Sequence, residues 1–269
     1  MRIQLKEGKS RKEDLGKSAG EGEGARYVRY NPNIDASRSD DFSLAALYRH
    51  LKSKHGFEKV ETPVFPVPDK VFFMDAHLED LLVFPSSTSW WTGDLWYESG
   101  AVILQDKASC FPAKVLMEGW ESSEGDCLDA TYVSIPSNSE ILTISAAPGN
   151  KTSYISALMG NAGKVHAFER SEGRYKTLEK MLGRAGCSNV TPRRADFLDS
   201  KPNDKEFAKV TRMYVAIIDL SSYIVFLIQV VLDLGLSTGW ITCLQNKRHK
   251  MRRTPKQRDW RNSHLFNCK

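Results

Sequence analysis

Three short stretches of this chain carry residue types and spacings suited to holding a nucleotide-like ligand. The first is Ser145-Ala146-Ala147-Pro148-Gly149-Asn150-Lys151-Thr152; the second is Glu169 and the third Asp196, with Asp219 closing a later apolar stretch. Alanine and glycine let a ligand approach the backbone closely. A helix starting at such a turn offers free N–H groups and a positive dipole end to a carboxylate or phosphate. Glu169 lies 20 residues beyond Gly149, where a carboxylate one strand along accepts hydrogen bonds from both hydroxyls of a ribose. Asp196, 47 residues beyond Gly149, is placed to meet an adenine edge. Taken singly, each has a plainer reading: a turn, two solvated strand-end acids, and surface charges at Lys151 and Arg174. Taken together, the spacing favours an adenosine-containing ligand.

These residues act together only if strands and helices bring them to one edge of a sheet. Residues 140–145 (EILTIS) read as a strand, followed by the AAPGNKT turn and a helix over SYISALMG. KVHAF is a second strand, GRYKTLEKMLGRAG a second helix, residues 189–194 a third strand and MYVAII a fourth, ending at Asp219. Strands alternating with helices imply a parallel, doubly wound sheet with right-handed connections and ligands at the strands' carboxyl ends. No G-x-G-x-x-G follows the first strand, which tilts the ligand from NAD towards S-adenosylmethionine.

Upstream, ARYVRY reads as a strand and SDDFSLAALYRHLKSKHG as a helix, capped by Asp40 or Asp41 at its start and Gly56 at its end. DLLVFP reads as a strand, and residues 100–118 as a short strand and a helix. The expected organisation is a flexible charged leader over 1–24 and a small α+β, RNA-binding module over 25–98. The first half of a cofactor-binding α/β domain follows over 99–222, then a divergent apolar segment and basic tail over 223–269.

Composition narrows the class. Of 269 residues 41% are hydrophobic and 26% charged, enough for a packed core and too ordinary for wholesale disorder. The net charge of +5 is uneven: residues 247–269 hold nine Lys/Arg against one acid, so the rest is mildly acidic. That tail suits phosphates, with salt-sensitive affinity, or nuclear targeting. The five cysteines include no C-x-x-C pair, and the six histidines are read as showing no zinc-ligand spacing, so neither a disulfide framework nor a metal is expected. The longest apolar run, residues 223–236, contains Gln229 and Asp233 and is too short to span a bilayer; no membrane partner is expected.

Three blocks, GAVILQDKASC (100–110), AAPGNKTSYISALMGNAGKVHAFE (146–169) and RAGCSNVTPRRADFL (184–198), resemble the Sun/Nop family of RNA (cytosine-5) methyltransferases. Among its branches the chain is most similar to the nucleolar one that modifies large-subunit ribosomal RNA. RYVRYNP and LEDLLVFP resemble that family's amino-terminal RNA-binding extension. The resemblance implies a Rossmann-like methyltransferase fold, S-adenosylmethionine as cofactor, ribosomal RNA as partner, and a nuclear, nucleolar location. It implies that Ser145 and Ala146 through Lys151 cradle the methionine end of the cofactor. Glu169 would hold the ribose with Arg174 beside it, Asp196 would meet the adenine, and Asp219 would lie beside the sulfonium. The family's chemistry is covalent: a cysteine thiolate adds to C6 of cytosine and makes C5 nucleophilic.

The chain departs from the pattern in two places. The family's fourth strand runs into Asp-Pro-Ser-Cys-Ser-Gly, whereas this chain reads Asp219-Leu220-Ser221-Ser222-Tyr223. Thr242-Cys243 follows too closely to occupy the nucleophile's usual place, so no catalytic residue is assigned. The family also has one residue between Asp-Ala and Ala-Ala-Pro-Gly, whereas residues 131–145 separate Ala130 from Ala146 here. Retained non-coding sequence at both places would account for an incomplete domain. The expectation is therefore a methyltransferase chain lacking its catalytic-cysteine segments, with a non-catalytic RNA-binding or ribosome-assembly protein as the alternative.

Overall fold

In a computed structural model, the described residues are 24–35, 41–121, 126–134, 146–200, 205–207, 210–219 and 224–231. The leader, Ser145, Cys243 and the basic tail lie outside them.

The amino-terminal module opens with β1 (Arg26–Tyr30), a one-turn helix α1 (Pro32–Asp35) and α2 (Leu44–His55). The cap of α2 is Ser43, whose side chain accepts from the Ala46 amide. Asp41, expected as a cap, instead accepts from the Ser43 hydroxyl at 2.6 Å and pairs with Arg49. Gly56 ends the helix at φ 69°, in the left-handed region that glycine adopts without a Cβ penalty. Next come β2 (Glu58–Lys59), β3 (Val71–Met74), β4 (Leu81–Phe84), α3 (Leu95–Glu98) and β5 (Val102–Leu104). The sheet order is β2-β3-β4-β1-β5, antiparallel except for the β2–β3 pair. All four residues of β4 are buried, as a central strand covered on both faces requires. Leu47 and Leu51 of α2 pack on one face, among Phe42, Phe57, Phe72, Phe84, Trp90 and Trp96. The strand expected to open the following domain, β5, pairs with β1 and completes this sheet.

The second sheet contains β6 (Asp126–Ser134), β7 (Val165–Phe168), β8 (Val190–Arg193), β9 (Val210–Asp219) and β10 (Ile224–Val231), in the order β10-β9-β6-β7-β8. The helices α4 (Lys107–Leu116), α5 (Asn150–Leu158) and α6 (Glu172–Arg184) pack against it. Strands β9, β6, β7 and β8 are parallel, and β10 is antiparallel to β9. From β6 the chain steps through β7 to β8 on one side, and then crosses to β9 on the other. The topological switch point, where such sheets bind ligands, therefore lies between β6 and β9. This is the doubly wound α/β arrangement the sequence predicts, and the run 224–231 covers the outer edge of β9. Within the described residues no helix is long and apolar enough to cross a membrane.

The first strand of this sheet is not the one expected. The central strand is residues 126–134, containing CLDAT, while residues 140–145 lie outside the described residues. Along β9 the strand β6 is paired as far as Ser134, but along β7 only as far as Asp129. Cys127 donates to the Lys164 carbonyl at 2.8 Å, so a continuous parallel ladder would bring Thr131 to the Phe168 carbonyl. Ala146 makes that bond instead, at 3.1 Å. The chain thus leaves the β7 ladder after Asp129 and rejoins it at Ala146. Asp129 keeps its place in the strand, opposite Ala167.

The two sheets are joined by buried polar contacts. Arg29 of β1 is fully buried; it donates to Gln105 Oε1 at 2.8 Å and Ser153 Oγ at 3.0 Å and lies over the Tyr154 ring. Tyr154 donates to Asp80 Oδ1 at 2.8 Å. The Asn31 amide donates to the carbonyls of Gly100 and Ala185. A Cβ at Gly100, where φ is 83°, would overlap the Arg184 carbonyl, so only glycine lets the end of α6 approach the module here.

Candidate functional site

The parallel ladder sets Glu169 and Asp196 just past the carboxyl ends of β7 and β8, and the Ala146–Lys151 turn returns to the end of β7. Ala146, Ala147 and Gly149 are buried in that turn, and α5 begins at Asn150. Gly149 has φ 108°, and a Cβ there would lie 3.2 Å from Leu178 Cδ1 and 3.3 Å from Met181 Cβ. Glycine is thus required twice, by its backbone angle and by the close packing of α6. It also brings no side chain to cap α5, which leaves the first turn of that helix without a side-chain cap.

Glu169 is fully buried. Its Oε1 accepts from the Ser171 amide at 2.8 Å and its Oε2 from Arg174 Nε at 3.3 Å. Arg174 also donates to the Ala147 carbonyl at 2.6 Å, so one guanidinium ties the turn to the acid. Such partners offset the hydration a carboxylate loses on burial. Asp196 is 8% exposed and lies 3.9 Å from Arg170 Nη1. Asp219 ends β9 opposite Ser134 on β6, beside the switch point; its side chain is outside the description.

Two residues of the turn reach towards α4. Lys151 Nζ donates to Ser109 Oγ at 2.9 Å, and the Asn150 amide to the Leu104 carbonyl at 3.3 Å. A cavity of about 210 Å³ opens there, walled in part by Arg26, Trp91, Gln105, Asp106, Ser109 and Asn150. The structure therefore joins the QDKAS and GNKT motifs, more than 40 residues apart in the chain. The wall formed by Arg26 and Trp91 was not legible, because nothing in RYVRY or SWWT marks a ligand-facing side chain.

Cys110 and Cys187 are not activated. Cys110, in the QDKASC block, is fully buried, and burial pushes its thiol up to about 12. Burial likewise raises Cys187 above its ordinary value. Neither supplies a thiolate near neutral pH.

A parallel sheet with a glycine turn, a buried acid one strand along and a second acid two strands along belongs to the doubly wound α/β class, whose ligands bind at the carboxyl ends of the strands. The comparisons with known proteins name the family. Residues 130–218 match the family model of 16S rRNA methyltransferase RsmB/F, and residues 25–105 that of the NOL1/NOP2/Sun domain family member 5 ferredoxin-like domain. The chain belongs to the Sun/Nop family, with the ferredoxin-like match preceding the methyltransferase match along the chain.

It is 33% identical over 211 residues to 28S rRNA (cytosine-C(5))-methyltransferase of Mus musculus, covering 78% of this chain and 41% of the relative. It is 37% identical over 158 residues to 25S rRNA (cytosine-C(5))-methyltransferase rcm1 of Schizosaccharomyces pombe, covering 59% of this chain and 30% of the relative. The chain thus spans less than half the length of these relatives. Among solved structures, PH0851 superposes with a TM-score of 0.50 at 18% identity, over 71% of this chain and 34% of that one, a likeness of fold.

Proposed function

We propose that this chain is the S-adenosylmethionine-binding part of an rRNA (cytosine-C5) methyltransferase, acting in the nucleus and there in the nucleolus. The observation that carries the reading is the Arg174 bridge, which presents the AAPGN turn and the Glu169 carboxylate as one unit beside the switch point. The donor set fits the cofactor. The first turn of α5 suits the carboxylate of its methionine end, Glu169 the ribose hydroxyls and Asp196 the adenine amino group. In this reading Asp219 would complement the positive sulfonium. S-adenosylmethionine supplies an electrophilic methyl group when bound; the protein's residues hold it, orient it and complement its charges.

The module at 25–98 is the RNA-binding part of this reading, and the basic tail adds phosphate affinity without base preference. The relatives named above are rRNA methyltransferases by name, and ribosomal RNA is the proposed partner.

A non-catalytic RNA-binding or assembly role is the second reading. It is favoured by the sequence Leu220-Ser221-Ser222-Tyr223-Ile224 after Asp219, where the family pattern places Pro-Ser-Cys-Ser-Gly.

Calorimetric titration with S-adenosylmethionine, alongside Glu169→Ala and Asp196→Ala, tests the site. Saturable binding that both variants lose supports it; a folded wild type that binds nothing refutes it. Covalent capture by 5-azacytidine-containing RNA then separates the readings, since only a chain with a working nucleophile is trapped.

A further inference from the structure

We propose that His50, His55 and Asp94, in the amino-terminal module, form a binding site for one zinc-class divalent ion. The site lies on the other sheet from the cofactor residues and is independent of the proposed methyltransferase function. His50 and His55 lie near and at the end of α2, and Asp94 precedes α3. Four residues separate the histidines, within the spacing of zinc-binding histidine pairs. The sequence alone does not reveal the site because the third ligand comes 39 residues after His55, across the module.

The three side chains converge. His50 Nε2 is 2.9 Å and His55 Nε2 2.9 Å from the same oxygen, Asp94 Oδ2, and all three candidate ligand atoms lie within 4.8 Å of one another. Zinc held by imidazole at about 2.0–2.1 Å in a tetrahedron needs ligand atoms about 3.3 Å apart. A few tenths of an ångström of expansion brings each Oδ2–Nε2 distance to that value, and the two nitrogens already lie within 4.8 Å of each other. The histidines are about one-fifth exposed and Asp94 only 1%, so the site has a buried anchor and an open mouth. Trp90 and Trp96 pack against the imidazoles, with ring centroids 5.4 and 5.8 Å away, and hold them in place.

The carboxylate is oversubscribed. Besides the two histidines it accepts from the Trp96 amide at 3.0 Å and from Lys54 Nζ at 3.0 Å. Lys54 is 54% exposed and can swing into solvent, so its ammonium is the competitor that a divalent ion displaces, with water as fourth ligand. Asp94 Oδ1 keeps the Trp96 amide, so metal binding and helix capping are compatible. Binding needs both Nε2 lone pairs, so each ring then carries its proton on Nδ1.

The test uses the full chain, purified without a histidine tag and stripped with a chelator. Zinc is then titrated in competition with a chromophoric chelator. One zinc per chain is expected, weakened more than about 100-fold in His50→Gln/His55→Gln, since even outer-shell partners are worth 10–100-fold. Cobalt(II) is expected to give the intense visible bands of a tetrahedral site in the wild type and not in that variant. Lys54→Met leaves all three ligands, removes the competing cation, and is expected to tighten zinc severalfold, so the inference does not hang on the double variant's folding. No zinc uptake by the wild type, equal uptake by wild type and double variant, or unchanged affinity in Lys54→Met would each overturn it.

Discussion

Arg174 donates to the Ala147 carbonyl at 2.6 Å and to the Glu169 carboxylate at 3.3 Å, so the turn and the acid are held by one side chain. Removing it by Arg174→Met strips a partner from a fully buried carboxylate. We expect a loss of about 1–3 kcal/mol in urea unfolding and at least about tenfold weaker S-adenosylmethionine binding, one decade per 1.4 kcal/mol. Wild-type affinity in the variant would show that the bridge does not organise the site.

Gly149→Ala meets two obstacles, φ 108° and the contact with Leu178 and Met181. The expected cost is about 1–3 kcal/mol. Combining it with Leu178→Ala separates them, because the second change relieves only the contact. Full additivity in that double-mutant cycle would mean that the contact carries none of the cost.

Arg29 is fully buried, and burial lowers its pKa from the ordinary arginine value, opposed by the charge of Asp80. Arg29→Met leaves Gln105 and Ser153 without their donor and removes the cation over Tyr154. We expect a loss of about 3 kcal/mol, read as a lowered urea midpoint. An unchanged midpoint would show that the module and the parallel sheet do not depend on this link.

Burial raises the pKa of Asp94, but the Trp96 amide, His55, Lys54 and His50 outweigh it and hold the carboxyl well below the usual carboxylate range. A depressed folded pKa contributes stability that is present above the unfolded value of about 3.9 and is lost as pH falls through the folded one. Asp94→Asn retains a capping oxygen and lacks this charge. The stability gap between wild type and Asp94→Asn should begin to narrow below about pH 4 and go on narrowing as the pH falls further. A gap that stays the same from about pH 4 to about pH 2 would contradict the assignment.

Cys110 and Cys127 are both fully buried. Brief iodoacetamide treatment of the native chain, followed by peptide mass spectrometry, should leave both unmodified, and both should react after unfolding in urea. Native labelling at Cys110 would mean that its thiol is reached from the nearby cavity.

Much of the architecture was legible because it is local. Strands such as RYVRY, LLVF and VHAF have the short apolar or alternating pattern that burial imposes, and Gly56 marks a helix end by its own backbone freedom. The cap at Ser43 was misread, since Asp41 is equally able to cap in isolation; the tertiary position of the chain leaves Asp41 to bond Ser43 instead. Residues 126–134 carry no strong strand signal of their own, and pairing with β7 and β9 makes them the central strand.

By itself the sequence determined the alternation that forces a parallel sheet, and the spacing from Gly149 to Glu169 and Asp196. Strand and turn patterns are written in neighbouring residues, so both could be read directly. Only the tertiary structure decided that Arg174 bridges Ala147 and Glu169, that Lys151 meets Ser109, and that His50 and His55 close on Asp94. Those contacts join residues far apart in the chain, and their distances follow from how sheets and helices pack, which no local pattern encodes.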